Sequence, residues 1–390
     1  MYARQRDISV QSENFIEKFV LWCRGTLLPF WADNGIDRQN GGFFEQLYLD
    51  GIPDRTVARR VRVASRQIYS FAHAQHLGWL QDQELILNGV DWLLDKGWAV
   101  DGNPGFLHLL DDGGQPLDAS RDLYDHAFHI LGLSWAYRAT KDAQVLSAAR
   151  RTFDFVEEAL ASKQGGWHEN LAHALPRRQN PHMHMFEALL ALYECSGDSA
   201  YLKRADEIAV LLAEKFVARN SALLHEFFDA DWSAHTPAQI EPGHMAEWSW
   251  LLQRRAMLTA DAAKNPLAGR LLANAERLGK QQNGLLIDTC DTAANPTKDS
   301  CRLWNQSEWL KALMIAAPTP AQISPAIDDL LQRIFAHYLN QPNPALWIDA
   351  ICPNNEAISD RVPASIVYHL VSAASEAERI FLDPKPRNPS

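Results

Sequence analysis

The chain has 390 residues, of which 47% are hydrophobic and 13 are tryptophan, so it can bury a large core. Its formal net charge of −11 comes from 48 acidic and 37 basic residues spread along the sequence, which argues against nucleic acid as a partner. Residues 1–19 lack the apolar stretch of a signal peptide, and no run of 18 apolar residues occurs anywhere, so we expect a cytoplasmic protein without a membrane anchor.

Six similar turn segments recur along the chain at nearly constant spacing. Each joins a Gly or Asn turn to a short apolar and acidic run, which predicts a small hairpin or loop. Measured from one equivalent position in each segment, the spacings are 63, 61, 57, 61 and 61 residues. These equivalent positions are Gly42, Gly105, Gly166, Leu223, Gly284 and Ala345.

Two helical stretches lie between consecutive turns, for example DLYDHAFHILGLSWAYRAT followed by DAQVLSAARRTFDFVEEALAS. The first is apolar nearly all round and the second carries charge on one side, which predicts an inner and an outer helix. Six such pairs predict an all-α fold, an (α/α)6 barrel of six helix-hairpin repeats with short β-hairpins or loops at one rim. An open array of repeats is the alternative, although polar capping repeats are missing. No Pro-rich or Gly/Ser-rich linker interrupts the period, so we expect residues 1–390 to form one domain.

The predicted inner helices each hold a polar side chain close to their start. The spacings between these residues are 60, 58, 60, 62 and 63. Helices that begin at one rim would direct these groups into a pocket with an aromatic wall. The residues are Arg66, His126, His184, His244, Gln306 and His369.

Register alone does not make every histidine functional. A lone histidine on an apolar face is usually a hydrogen-bonded core residue, and we interpret His73, His126 and His129 in that way. The common register favours a functional role for His184, His244 and His369. The basic run Arg59, Arg60 and Arg62 would by itself indicate a solvated face. Among the aromatic residues, only Trp304 is singled out as a ligand-stacking candidate.

The sequence does not favour a metal site. His182 and His184 are two residues apart on a helix and therefore point to different faces. His126 and His129 are better spaced, but no Glu-x-x-His pair supports them. The five cysteines are scattered without a Cys-x-x-Cys pair, which fits a reducing compartment. We therefore predict neither a metal nor a cofactor.

Several histidines together with an arginine and carboxylates in a concave site point to proton transfer. Histidine can take and return a proton near neutral pH, and Arg66 could stabilise the charge that develops on an oxygen. This is what isomerisation or epimerisation of a sugar through an enediolate requires. The carboxylates expected nearby are those of Glu187, Glu247 and Glu308.

Two other functions stay open at this point. A glycosidase would need two carboxylates that flank a glycosidic bond, and (α/α)6 barrels do host glycosidases, but this pocket is richer in histidine. A sugar-binding protein without catalysis would be expected to lack one of His244, His369 and Arg66, and all three are present.

Six blocks of the sequence resemble the N-acylglucosamine 2-epimerase superfamily, and the match covers all six repeats from about Trp31 to Leu370. Within it the chain is most similar to the branch that interconverts D-mannose and D-fructose, on the closeness of SRQIYSF and EPGHMAEWSWLL. The 2-epimerases of mannose, cellobiose or N-acylglucosamine are the runner-up. The resemblance implies an (α/α)6 barrel. The blocks are RRVRVASRQIYSFA, DLYDHAFHILGLS, NPHMHMFEALLALYE, EPGHMAEWSWLL, LWNQSEWLKAL and VPASIVYHL.

The resemblance also implies roles for matching residues and a monosaccharide substrate. His244 and His369 would be the acid and base, without an indication of which does what. Glu247 would orient and polarise a histidine, and Arg66 would bind the reacting oxygens. Neither a metal nor a redox cofactor is implied, and the oligomeric state is left open. The residues implied in substrate binding are Arg66, Tyr124, Asn180, His184, Glu247, Trp304 and Gln306.

Overall fold

The computed structural model describes residues 14–259, 265–317 and 324–383. Within these ranges the chain is mainly helical, with short strands between the helices. The α-helices are α1 (Phe15–Trp22), α2 (Leu28–Asn34), α3 (Val61–Leu77), α4 (Gln83–Gly97), α5 (Leu123–Thr140), α6 (Ala143–Ala159), α7 (Gln179–Ser196), α8 (Ser199–Leu211), α9 (Pro242–Leu258), α10 (Pro266–Gly279), α11 (Leu303–Ala316), α12 (Pro325–Ile334) and α13 (Val367–Ala377).

Short turns of other helix types extend or join several of these helices. A π-helical turn, Cys23–Leu27, connects α1 to α2, and three more continue α8, α12 and α13. A 3₁₀ turn, Ala364–Ile366, leads into α13. The three continuing π-helical turns are Leu212–Phe216, Phe335–Leu339 and Glu378–Leu382.

The helices form two concentric layers. In the inner layer α3, α5, α7, α9, α11 and α13 each pack against the next, and α13 packs against α3, so the ring closes. The outer layer consists of α1 with α2, α4, α6, α8, α10 and α12, each packed against an inner helix. The predicted (α/α)6 barrel is therefore confirmed. No helix in the described ranges is both long enough and apolar enough to cross a membrane.

The composition of each helix explains its layer. Helix α5 is buried along most of its length, including Asp125, His126 and His129, because helices and hairpins surround it on all sides. Helix α6 buries only one stripe, from Val145 to Val156, and leaves its charged residues to solvent. Side chains at spacings of three and four residues share one face of a helix, which gives the stripe.

The strands form five small sheets that connect the helix pairs at one rim. The strands are β1 (Gln46–Tyr48), β2 (Arg59–Arg60), β3 (Leu109–Leu110), β4 (Pro116–Asp118), β5 (Arg177–Arg178), β6 (Phe227–Phe228), β7 (Thr289–Cys290), β8 (Pro296–Lys298), β9 (Cys301–Arg302), β10 (Ala350–Ile351) and β11 (Arg361–Pro363). Four of the sheets lie within one unit or join neighbouring units. In the fifth sheet β1 pairs with β11, the segment before α13, and this pair closes the ring where α13 meets α3.

The basic run at the start of α3 is not a solvated face. The Arg59 guanidinium is buried and contacts the carboxylates of Asp37 and Asp112. Arg62 donates to Asp125 at 2.6 Å. The expectation was wrong because β2 and β3 pair here and bring acidic residues of neighbouring loops onto the run.

Three inner helices are tied to the preceding loop by the same pair of hydrogen bonds. His126 donates from Nδ1 to the Asp122 carbonyl at 2.7 Å and accepts from the Phe106 amide at 3.0 Å. His182 makes the equivalent bonds to Arg178 and Trp167. The amide of Gln306 does so as well, to the residues Arg302 and Leu286.

These bonds satisfy the buried loop amides, such as that of Phe106, and add a second donor to carbonyls such as that of Asp122, which also accepts from the His126 amide at 3.2 Å. The prediction that His126 is a core residue is confirmed, and His73 and His129 are buried too. The prediction that Gln306 forms part of the pocket wall was wrong, because both ends of its side chain are bound to backbone.

Candidate active site

A cavity of about 330 Å³ opens at the rim where the inner helices begin. Its size is that of a site for a small ligand, for which about 300–1,000 Å³ is typical. A depression on the outer face of α1, between Asn14 and Thr26, holds no histidine. The cavity is lined by Arg60, Arg66, Tyr124, Asn180, His184, Glu241, His244, Glu247, Arg302, Trp304, Ser365, Ile366 and His369.

The lining contains every predicted site residue except Gln306. The sequence-based register aligns His126 and Gln306 with His184, but in the structure they correspond to His182, two residues earlier on its helix. Residues two apart on a helix differ by about 200° in direction, so a shift of two moves a side chain to the opposite face. The true counterparts are Phe128 and Glu308, which lie close to the cavity on α5 and α11.

His244 is held between two carboxylates. Its Nδ1 lies 3.0 Å from Glu226 Oε2 and 3.4 Å from Glu241 Oε2. Gln179 donates to the same oxygen of Glu226 at 2.9 Å, and Trp248 donates to Gln179 at 2.7 Å, so the carboxylate is fixed in turn. Burial lowers the pKa of His244, but the two carboxylates outweigh it and raise the pKa to about 10. His244 is therefore an imidazolium at neutral pH.

His369 has a different environment. Its Nδ1 lies 2.7 Å from Glu308 Oε1, and the other oxygen of Glu308 is 2.7 Å from the Lys311 ammonium. Burial lowers the pKa of His369 to about 4, against the effect of the Glu308 hydrogen bond. An ionised carboxylate only accepts, so Nδ1 carries the proton of a neutral imidazole and Nε2 is left with a free lone pair.

The third histidine of the cavity, His184, also rests on a carboxylate. Its Nδ1 lies 3.2 Å from Glu187, which accepts a further bond from the Tyr368 hydroxyl at 2.6 Å. Burial lowers the pKa of His184 to about 4, which the Glu187 hydrogen bond opposes. His184 is a neutral group on the cavity wall at neutral pH.

Glu247 does not orient a histidine as predicted, since Glu226, Glu308 and Glu187 take that position. Its Oε1 is 3.9 Å from His184 Nδ1 and has no hydrogen-bond partner among the described residues. Burial, and then the nearby Glu308, raise the pKa of Glu247 well above its usual range. Its carboxyl group is therefore protonated and can donate a hydrogen bond into the cavity.

Arg66 supplies a fixed positive charge. Its Nη2 donates to the Tyr124 hydroxyl at 2.7 Å, and its guanidinium carbon lies 3.9 Å from the centre of the Phe128 ring. Trp304 forms another wall, with ring centres 5.2 Å from His244 and 5.8 Å from His369. Asn180 also lines the cavity, and its Oδ1 has no partner among the described residues.

Sequence reasoning missed several residues of the site. Arg60 and Arg302 line the cavity and are each held by a carboxylate, Glu45 at 2.6 Å and Asp288 at 3.0 Å. Glu226 belongs to the hairpin of β6, 18 residues before His244. The one available signal was its place in the acidic run of the repeated turn, where Glu45 and Glu169 bind the arginines that precede other inner helices.

Among the residues that the structure describes, three groups of side chains are close enough to be considered as metal ligands, and each contains a histidine and two glutamates. In every group the histidine Nδ1 and a carboxylate oxygen are directly hydrogen-bonded to each other. A metal would have to replace these bonds, so we interpret the groups as hydrogen-bonded pairs. The groups are His184 with Glu187 and Glu247, His244 with Glu226 and Glu241, and His369 with Glu247 and Glu308.

Comparison with known proteins identifies relatives of this chain among sugar isomerases. A mannose-6-phosphate isomerase of Rhizobium meliloti (strain 1021) is 34% identical over 374 residues, which cover 92% of this chain and 95% of the relative. A D-mannose isomerase of Marinomonas mediterranea is 28% identical over 246 residues, 58% of this chain and 61% of the relative.

Solved structures show the same fold. A crystal structure of D-mannose isomerase has a TM-score of 0.83 at 23% identity and covers 94% of this chain and 97% of its own. The cellobiose 2-epimerase of Bacillus thermoamylovorans B4167 has a TM-score of 0.82 at 19% identity, with coverage of 94% and 99%.

The sequence profile of one family extends over most of the chain. It is described as N-acylglucosamine 2-epimerase (GlcNAc 2-epimerase) and matches residues 42–373. The family and the relatives named above are sugar epimerases and isomerases, so the chain is an enzyme that acts on a small sugar. The resemblance inferred from the six sequence blocks is confirmed: this chain belongs to the N-acylglucosamine 2-epimerase family.

Proposed function

We propose that the chain is an aldose–ketose isomerase that interconverts D-mannose and D-fructose by proton transfer through an enediolate. We assign His369 as the base, because its neutral imidazole lines the cavity beside Trp304 and its Nδ1 is bound to Glu308 at 2.7 Å, a shorter bond than the 3.2 Å bond of the other neutral histidine, His184. His369 takes the proton from C2 of the open-chain sugar and returns it to C1, while the hydroxyl proton moves from O2 to O1.

The other polar groups stabilise the charge that forms on the oxygens. Arg66 is a fixed cation, and the imidazolium of His244 and the carboxyl group of Glu247 are hydrogen-bond donors. Donors that are already oriented stabilise an oxyanion without reorganisation. His244 is also suited to protonate the ring oxygen when the sugar opens.

The observation that carries the choice of isomerase is the unequal carboxylate environment of the two histidines. A 2-epimerase uses one group to remove the C2 proton and a second to deliver a proton to the other face, and in the reverse direction these roles exchange. In the reverse direction, therefore, the second group must be a neutral base before the reaction begins. His244 lies within 3.4 Å of two carboxylates and is protonated, so it is poorly suited to that step.

A 2-epimerase is the second candidate, and two of the findings favour it. Relatives named cellobiose 2-epimerase are 26–28% identical to this chain. The imidazolium of His244 could also donate its proton to C2 in one direction of an epimerisation. Glycoside hydrolases of family 76 share the fold at a TM-score of 0.65 and 12% identity, which concerns the architecture alone.

Incubation with D-mannose in deuterated buffer, followed by proton NMR, tests the proposal. We expect fructose to appear without glucose, with the same rate in the presence of EDTA, and with deuterium at C1 only in the fraction of turnovers in which the proton on His369 exchanges with solvent before it reaches C1. Glucose without fructose would replace the proposal with a 2-epimerase. The variant His369→Gln serves as the control, because glutamine is of similar size but cannot act as the base.

Mannose 6-phosphate should be assayed beside mannose. Arg60 and Arg302 line the cavity and offer a site for an anionic group, and the relative from R. meliloti is named for that substrate. Conversion of the phosphate ester alone would assign the same reaction to a phosphorylated sugar. The single domain and the cytoplasmic location remain predictions.

A further inference from the structure

Lys311 is a buried charged residue that the proposed chemistry does not use. Its side chain and that of Glu308 are both 0% exposed, and the ammonium nitrogen is 2.7 Å from Glu308 Oε2. The same nitrogen lies 3.3 Å from the Ser372 hydroxyl and 3.7 Å from the centre of the Trp250 ring. A buried ion pair is costly to desolvate and is therefore weak evidence for stability alone. Lys311 lies directly behind the Glu308 carboxylate that binds His369, and this position suggests a function.

The charges around Glu308 depend on Lys311. Three glutamates approach this region: the raised pKa of Glu247 favours its protonated form, and Glu187 accepts from the Tyr368 hydroxyl. Burial favours the protonated form of Glu308, but Lys311 and the hydrogen bond to His369 together keep the pKa of Glu308 below its usual value, and Lys311 is the larger of these two influences. Arg66 faces His369 from α3, and its charge, like that of Lys311, disfavours a proton on the imidazole. Lys311 is thus the cation that balances Glu308 directly.

We propose that Lys311 is a positioning residue for His369: by keeping Glu308 ionised, it holds the imidazole neutral with its proton on Nδ1 and leaves Nε2 free as the base. This inference rests on the proposed function only in the role given to Nε2. The path runs from Lys311 through the two oxygens of Glu308 to Nδ1, each step being 2.7 Å long.

Removal of the ammonium group would leave Glu308 to be balanced by a proton. If His369 takes the proton, the base is lost directly. If Glu308 takes it, the carboxyl group donates to Nδ1, and the imidazole proton must move to Nε2. Both outcomes block the atom that faces the substrate, so the acid limb of the activity profile should rise to higher pH.

The experiment compares Lys311→Met, Lys311→Arg and the wild type in the pH dependence of deuterium exchange at C2 of the sugar. We expect Lys311→Met to move the acid limb upward by about one pH unit from the His369 pKa of about 4, which lowers kcat at pH 4.5 about threefold and changes it little at pH 7, with KM nearly unchanged. Lys311→Arg should restore most of the wild-type profile. Ser372→Ala, which removes the other hydrogen-bond partner of Lys311 and keeps its charge, should leave the profile unchanged.

A profile of Lys311→Met that coincides with the wild type would overturn the proposal. So would an equal loss at every pH, since a merely structural role has that result. The tautomer of His369 in the wild type gives a second test, by long-range proton–nitrogen NMR assigned with His369→Gln. We expect Nδ1–H, and Nε2–H would overturn the proposal. This measurement requires neither turnover nor a folded Lys311→Met variant. It therefore tests the proposal even for an enzyme that is inactive on mannose.

Discussion

The imidazoles of His244 and His369 both lie against Trp304, but at neutral pH His244 is charged and His369 is not. His369 is neutral above its pKa of about 4, and His244 is protonated below its pKa of about 10. Groups with separated pKa values in one site mark the base and the acid. The difference arises because Glu308 is balanced by Lys311, whereas two carboxylates surround His244.

The pH dependence of activity follows from these two groups. Turnover requires His369 neutral and His244 protonated, so it should be nearly constant between pH 5 and about 9 and fall as pH rises through about 10. Glu226→Gln removes one of the carboxylates that raise the pKa of His244. Its alkaline limb should therefore move to lower pH by about one unit or more. The measurement is kcat for C2 exchange across this range, and an alkaline limb unchanged in Glu226→Gln would contradict the assignment.

The sequence predicted that His244 and His369 are site residues, but it did not predict their protonation states. Both residues lie near the start of an inner helix, and the repeat spacing alone predicts that they lie at the same rim of the barrel. The carboxylates that set their pKa values come from elsewhere, Glu226 from a hairpin and Glu308 from the adjacent helix. Contacts between separate repeats depend on side-chain geometry that spacing does not contain.

At the scale of elements, the inner helices share a construction that the sequence pattern concealed. His126, His182 and Gln306 each connect the carbonyl four residues earlier to the amide of the preceding loop. Histidine and glutamine both present a donor and an acceptor at the required separation. The sequence showed these polar residues at helix starts, but it did not distinguish a group that binds backbone from one that faces the pocket two residues later.

This equivalence predicts which substitution of His126 is tolerated. His126→Gln should keep both hydrogen bonds, because Gln306 makes them in another repeat, and should change stability little. His126→Leu leaves the buried Phe106 amide without its partner, at a cost of about 1–3 kcal/mol for a buried unsatisfied group, whereas the Asp122 carbonyl keeps its bond to the backbone amide of residue 126 at 3.2 Å. The thermal midpoint of unfolding distinguishes the two. Equal midpoints for both variants would show that the bonds contribute nothing.

At the scale of the whole molecule, the active site is a product of ring closure. Each inner helix contributes one wall of the cavity, so no subset of the repeats builds it. The repeat count predicted this closure, since six units of about sixty residues match one turn of the barrel. The β1–β11 pair that seals the ring was not predicted, because its partners lie more than 300 residues apart. The helix contributions are Arg66, Tyr124, His184, His244, Trp304 and His369.

The buried neutral histidines make the folded ring sensitive to acid. The pKa is lowered by burial to about 4 for His126, His184 and His369 and to about 3 for His182, whereas an unfolded chain titrates near 6.5. Below pH 6.5 the unfolded state therefore binds protons that the folded state excludes, and stability falls until about pH 4. Each group contributes on the order of 3 kcal/mol over that window. His244 acts in the opposite sense, since its raised pKa adds stability that is lost as pH rises toward 10.

The thermal midpoint should therefore decrease between pH 6.5 and 4.5, the interval in which these histidines are protonated in the unfolded chain but not in the folded one. His126→Gln removes one titrating group and keeps its hydrogen bonds, so its midpoint should decrease less over the same interval than that of the wild type. If the midpoint stayed constant from pH 7 to 5, the histidines would have to be protonated inside the folded ring. The same result would remove the basis for His369 as a neutral base, because its pKa is lowered by the same burial.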